Sequence, residues 1–199
     1  MKKIPTLFVR EYEDHKVIGI KPELTSSDLQ WVLDGDGIAT VKWDGSCCAI
    51  IDGNFYKRFD AKEGRDIPEG AIPCCDPDPV TGHWPHWVPV NVEDSDSKWY
   101  IAAYLNSRNV WAEGTFEAVG PHFQGNPYKF EKDVLIPHGN HLIDELNKKL
   151  LDETPYERTF EQIRDYLSIH GIEGIVFWKD GEPQCKIKRS DFGFTWPVK

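Results

Sequence analysis

A chain of 199 residues, 40% hydrophobic and 28% charged, is long enough to bury a substantial core and has the composition of an ordinary globular domain. No stretch approaches the roughly 18 consecutive apolar residues of a membrane span, and the apolar run behind Met1-Lys2-Lys3 is too short for a secretory signal. A net charge of −10 excludes a protein that wraps duplex nucleic acid non-specifically, yet leaves room for one local cationic groove.

Taken in chain order, Ile4–Arg10 and Val17–Ile20 read as short strands, and Ser26–Val32 as a helix capped by Thr25 or Ser26, with Gly35 and Gly37 after it. The apolar run Ile38–Lys42 predicts a strand that turns at Asp44-Gly45 into Cys47–Asp52. A second turn at Asp52-Gly53 leads to Asn54–Phe59. Residues 65–97 are rich in proline and tryptophan and read as one long surface insertion. Within it, Trp84 and Trp87 with His83 and His86 suit stacking on bases, or pinning of the loop to its own sheet. Strands resume at Val110–Ala112, Thr115–Val119 and Val134–Ile136. A helix is expected over His141–Leu151, with Leu142, Leu146 and Leu150 on one face. The next opens at a capping box, Thr154-Pro155-Tyr156-Glu157, and turns Phe160, Ile163 and Leu167 inward before Gly171. The closing hairpin is Glu173–Trp178, a turn at Lys179-Asp180-Gly181, and Gln184–Lys188. These elements predict an α+β fold of mostly antiparallel sheet with few helices, in one domain over 1–199.

Lys42 sits where a strand leaves the core. Partial desolvation there makes a lysine amine a usable nucleophile, whereas on its own the motif more often marks a surface lysine beside a turn. Strand alternation puts Lys186 and Lys188 on one side of the closing hairpin and Cys185 and Ile187 on the other. Glu173 opens the partner strand, and Gly174 leaves room for close approach of a ligand. An amine, a cationic pair and carboxylates suit nucleotide chemistry, in which cations neutralise phosphate oxygens and acids hold a divalent metal. The five cysteines include two adjacent pairs and no C-x-x-C, so reduced thiols and a cytoplasmic location are expected. Cys47 and Cys48 read as small packing residues, and vicinal Cys74-Cys75 with His83 and His86 make a poor zinc site.

The ordered segments Lys42-Trp43-Asp44-Gly45-Ser46, Arg58, Phe116-Glu117-Ala118-Val119-Gly120, Glu173-Gly174-Ile175-Val176 and Lys186-Ile187-Lys188 resemble the motifs of covalent nucleotidyltransferases, the ATP-dependent ligases and mRNA capping enzymes. Asp44-Gly45-Ser46-Cys47-Cys48, Gly82-His83-Trp84-Pro85, Gly125-Asn126-Pro127-Tyr128 and Leu135-Ile136-Pro137-His138-Gly139 resemble most a small ATP-dependent 5′-to-3′ RNA ligase family that includes vertebrate and phage-type members. The resemblance implies a nucleotidyltransferase (ATP-grasp-like) domain of antiparallel sheets flanked by helices, with no OB domain after Lys188. It implies Lys42 as the nucleophile forming lysyl–AMP, with Lys186 and Lys188 on the α-phosphate. Val41, Lys42, Arg58, Glu117, Glu173, Lys186 and Lys188 would line the nucleotide, with Glu117 preferred to Glu113 as the ribose contact. Asp44 and Glu173 would serve Mg²⁺ or Mn²⁺. The implied substrates are ATP and RNA ends, with no membrane and no obligatory protein partner. A DNA ligase, a GTP-dependent capping enzyme and a non-catalytic nucleotide- or RNA-end-binding module are the alternatives.

Overall fold

A computed structural model describes residues 3–14, 16–61, 66–79, 81–107, 112–147 and 158–198. The strands, in chain order, are β1 (Phe8–Glu13), β2 (Lys16–Leu24), β3 (Ile38–Lys42), β4 (Ser46–Ile51), β5 (Asn54–Ala61), β6 (Ile72–Pro73), β7 (Trp84–Pro89), β8 (Gly114–Val119), β9 (Val134–Pro137), β10 (Gly174–Lys179) and β11 (Glu182–Lys188). The α-helices are α1 (Gln30–Leu33), α2 (Lys98–Asn106), α3 (Asp144–Asn147) and α4 (Phe160–Ile169). Strands pair antiparallel throughout these sheets, so the α+β class expected from the sequence is what forms. Among the described residues no helix is long and apolar enough to cross a membrane. The chain divides into two compact units, Ile4–Trp43 with Gly139–Lys199, and Asp44–His138.

In the first unit the sheet runs β11-β10-β3, with β1-β2 as a separate two-stranded sheet. Ala39, Ile175, Phe177, Cys185 and Ile187 share one face and are fully buried against Leu7, Phe8, Val32, Ile163 and Leu167. The period of two then sends Lys42, Lys186 and Lys188 to the other face, as the alternation predicts. The helix bearing Ile163 and Leu167 starts later than the sequence implies. Thr159 caps it by accepting from the Gln162 amide at 3.2 Å, while the Gln162 side chain accepts from the Thr159 amide at 3.0 Å. The box expected at Thr154–Glu157 and most of the helix expected over His141–Leu151 lie outside the described residues, with Asp144–Asn147 the described part.

Two arginines act as interior fasteners. Arg158 is fully buried and donates to the carbonyls of Leu146 (2.8 Å), Asp36 (2.7 Å) and Gly37 (3.0 Å). Arg189, next to Lys188 in the sequence, closes the end of α4 by donating to the carbonyls of Leu167, His170 and Ser168. Helix ends leave carbonyls without partners, and a cation suits that negative pole.

The second unit is a six-stranded sheet, β6-β7-β5-β4-β8-β9. Trp99, Tyr100 and Tyr104 of α2 cover the face carrying Cys48, Ile50, Phe116 and Leu135. Two expectations fail here. The predicted hairpin across Asp44-Gly45 does not form, because β3 pairs with β10 while β4 pairs with β5 and β8. Gly45 is needed for closeness rather than for a turn, since a Cβ there would lie 2.2 Å from the Ala118 carbonyl. The predicted insertion is also partly sheet, with β6 and β7 inside it. Trp87 is buried in the small core with Ala49 and Tyr56, and the Trp84 indole donates to the Cys75 carbonyl at 2.7 Å. Both tryptophans therefore pin the segment to its own sheet.

Arg158→Met should cost roughly 3 kcal/mol in chemical denaturation, because the buried Leu146 carbonyl and the partly buried Asp36 and Gly37 carbonyls lose their donor at once. A loss under about 1 kcal/mol, the net worth of one ordinary hydrogen bond, would contradict that role.

Candidate active site

The antiparallel register decides which side chains meet. Gly174 of β10 lies opposite Lys42 of β3 on one side and opposite Lys188 of β11 on the other. The residue before it, Glu173, is 5% exposed, and its two carboxylate oxygens are taken separately. Oε2 accepts from the Lys42 ammonium, and Oε1 accepts from Lys188 Nζ at 2.6 Å. Gly174 is required by packing, since a Cβ would lie 2.2 Å from the Ile187 carbonyl. The room it leaves is filled by β11 backbone, not by a ligand as the sequence reading held.

Lys186 stands in the same charge cluster. Burial, then the positive charges of Lys42, Lys188 and Arg10, lowers its ammonium from 10.5 to about 8. Arg10, which sequence reasoning passed over, is held by Asp191 through Nε at 2.9 Å. Asp191 also accepts from the Lys188 amide at 2.8 Å, locking the strand end that carries the lysine. With Arg10 and Asp191 matched, three ammoniums face one carboxylate. In a chain of net charge −10 this is a local excess of positive charge, suited to a phosphate. Val41 lies on β3 with its amide donating to the His141 carbonyl at 2.9 Å and its side chain against the core.

Asp44, Arg58 and Glu117 belong to the second unit. Glu117 faces Cys47 across the β4–β8 ladder, and its Oε1 accepts from the Gly45 amide at 3.1 Å. Its Oε2 lies 2.9 Å from His138 Nε2, whose other ring nitrogen is 2.9 Å from Thr115 Oγ1. Asp44 donates its amide to the Tyr128 hydroxyl at 2.8 Å. Arg58 on β5 is held by Asp60 at 2.9 Å and acts, with Glu117, on the Cys47 thiol. Burial first, then the Glu117 charge, pushes that thiol up to about 12. With no metal ion beside it the Cys47 thiol stays protonated and is no nucleophile, and a bound metal ion would have to displace that proton. Glu113 spends its carboxylate on the Asp52 and Gly53 amides of the β4–β5 turn, both at 2.8 Å. His138 was missed as a partner of Glu117. Alternation along β9 and β8 places both on one face, but nothing local pairs two strands that sequence keeps apart.

Against known proteins, the chain is 24% identical to RNA ligase 1 of Danio rerio over an aligned span of 281 residues, covering 99% of this chain and 82% of that protein. RNA ligase 1 of Pongo abelii matches at 24% over 278 residues, with the same coverage. Both spans exceed the length of this chain, so the relatives carry segments that it lacks. The likeness supports a relationship to RNA ligases at family level. No protein-family model matches the chain.

The Lys186 environment sets a pH dependence. Its folded value lies below that of the unfolded chain, so between about pH 8 and 10.5 the unfolded state holds more protons and stability rises with pH. The penalty is fully present below about pH 8 and fades as the pH rises. Lys186→Met should therefore stabilise the protein at neutral pH and lose that advantage in alkaline buffer. Parallel denaturation curves for the two proteins across this range test it; a difference independent of pH would contradict the assignment.

Proposed function

We propose that the chain is an ATP-dependent RNA ligase with a nucleotidyltransferase fold, working through a lysyl–AMP intermediate. The observation that carries the reading is Glu173, which holds Lys42 and Lys188 together across one glycine. Support comes from the near full-length likeness to proteins named RNA ligase 1.

Lys42 Nζ attacks the α-phosphorus of ATP. The P–N bond forms as the bond to the pyrophosphate oxygen breaks, and pyrophosphate leaves. Nζ must first lose one proton to free its lone pair, for which Glu173 Oε2 is an acceptor already in contact, and the second proton leaves to solvent as the P–N bond forms. Lys186 and Lys188 balance the charge that grows on the α-phosphate oxygens, work that a preorganised cation does without reorganising solvent. An RNA 5′-phosphate oxygen then attacks the same phosphorus, releasing Lys42 and leaving an adenylylated end. Attack by a 3′-hydroxyl on that end joins the strands and expels AMP. Glu117 and Arg58 are assigned to the ribose and a phosphate.

Magnesium or manganese fits this donor set in a limited way. Such ions take one or two carboxylates plus substrate oxygens, and Glu173 offers one carboxylate once an ammonium moves to phosphate; Asp44 is the second candidate. The ion would supply charge neutralisation at the phosphates. The preferred substrate is RNA with single-stranded ends, because an acidic chain has little non-specific grip on duplex.

ATP labelled at its α-phosphate should leave label on the protein through denaturing electrophoresis, and Lys42→Ala should abolish it in a protein that still melts cooperatively, though at a lower temperature because Glu173 loses one of its two ammoniums. The labelled protein should then join 5′-phosphorylated single-stranded or looped RNA faster than it seals nicked duplex DNA. Labelling by GTP instead would favour a capping enzyme, faster sealing of DNA a DNA ligase, and ATP binding without an adduct a binding module.

A further inference from the structure

We propose that Cys47, Glu117 and His138 form a binding site for a thiophilic divalent cation of the zinc class. Their ligand atoms, Sγ, a carboxylate oxygen and an imidazole nitrogen, lie within 4.8 Å of one another. Among the described residues no other cluster of cysteine, histidine and carboxylate donors is this close. A mixed sulfur, nitrogen and oxygen set suits zinc, whereas magnesium and calcium prefer oxygen donors alone.

The scaffold is rigid. Cys47 and Glu117 are directly paired residues of β4 and β8, and His138 follows β9, the next strand of the same sheet. Each donor other than the thiol is also held from behind. Glu117 Oε1 takes the Gly45 amide, leaving Oε2 toward the histidine, and Thr115 Oγ1 engages His138 Nδ1, leaving Nε2 toward the carboxylate. Such outer-shell partners fix the ring and the carboxylate of a metal site before the ion arrives. A carboxylate and a ring nitrogen 2.9 Å apart need a positive centre between them, which a proton or a metal ion can supply. The Glu117 and His138 side chains remain 13% and 17% exposed, so an ion held by three protein ligands keeps an open fourth position.

A consequence rests on the ligase reading: Glu117 is the ribose contact there, so an ion on this trio competes with the nucleotide. Zinc would act against magnesium rather than in its place, as an inhibitor of adenylation.

The test titrates the metal-stripped, full-length protein with cadmium and follows the ultraviolet thiolate-to-cadmium charge-transfer band. One tight equivalent is expected, lost in Cys47→Ser and weakened about 10-fold or more in Thr115→Val, which removes only the outer-shell hydroxyl. Melting curves establish that both variants fold. No band at one equivalent, or an unchanged band in folded Cys47→Ser, would overturn the site. In the companion assay, zinc added over excess magnesium should slow labelling by ATP in the wild type and spare Cys47→Ser. Zinc-insensitive labelling of a protein that binds cadmium would overturn the competition. Absence of label with magnesium alone would count against the ligase reading and leave the cadmium result standing.

Discussion

A carboxylate withdrawn from water must be compensated, and Glu173 is compensated twice. Left alone, a buried ion would cost several kcal/mol, and one ammonium would repay part of that. Two ammoniums from the flanking strands repay more, and the arrangement exists because antiparallel pairing puts Lys42 and Lys188 on either side of Gly174. The cost is that the lysines are fixed by packing they cannot escape. Cys185 and Ile187 anchor one strand in the core, Ala39 the other, and Gly174 admits the β11 backbone where any side chain would collide. A site built on strands this way is held more closely than one built on loops.

The same economy appears in the Asp44–His138 unit. Glu117 is held by a backbone amide and an imidazole, both delivered by neighbouring strands, and Arg58 is held by Asp60 on its own strand. Each group with chemical potential is thus oriented by a partner of opposite or complementary character before any ligand arrives. Preorganisation of this kind lets charged groups stabilise a reaction without first being rearranged.

Much of this was legible in the sequence, and the failures have physical causes. The closing hairpin was readable because Lys186 and Lys188 alternate with two apolar residues, and because Asp180-Gly181 marks a turn with positive φ at 54° and 78°. Asp52-Gly53 is such a turn too, at 49° and 72°. Asp44-Gly45 carries the same dipeptide but answers a different demand, close approach to Ala118, and a dipeptide cannot distinguish the two. Helix α2 was passed over because its residues are apolar on nearly every side, with Leu105 75% exposed, so no stripe announces it. The fastening roles of Arg158 and Arg189 leave no mark in the sequence, because their acceptors are carbonyls, which no side-chain pattern records. The Glu117–His138 contact joins neighbouring strands whose pairing alone brings the two residues together.

Glu173, Lys42 and Lys188 act as one unit, with the carboxylate placing both amines. The most direct measurement is a double-mutant cycle on single-turnover AMP transfer from ATP to the protein, using Glu173→Gln, Lys188→Met and the double variant. If the carboxylate works by holding the lysines, the double variant should be scarcely slower than the worse single one, a coupling of about 0.5–3 kcal/mol. Strict additivity of the two losses, in variants that melt alike, would contradict it.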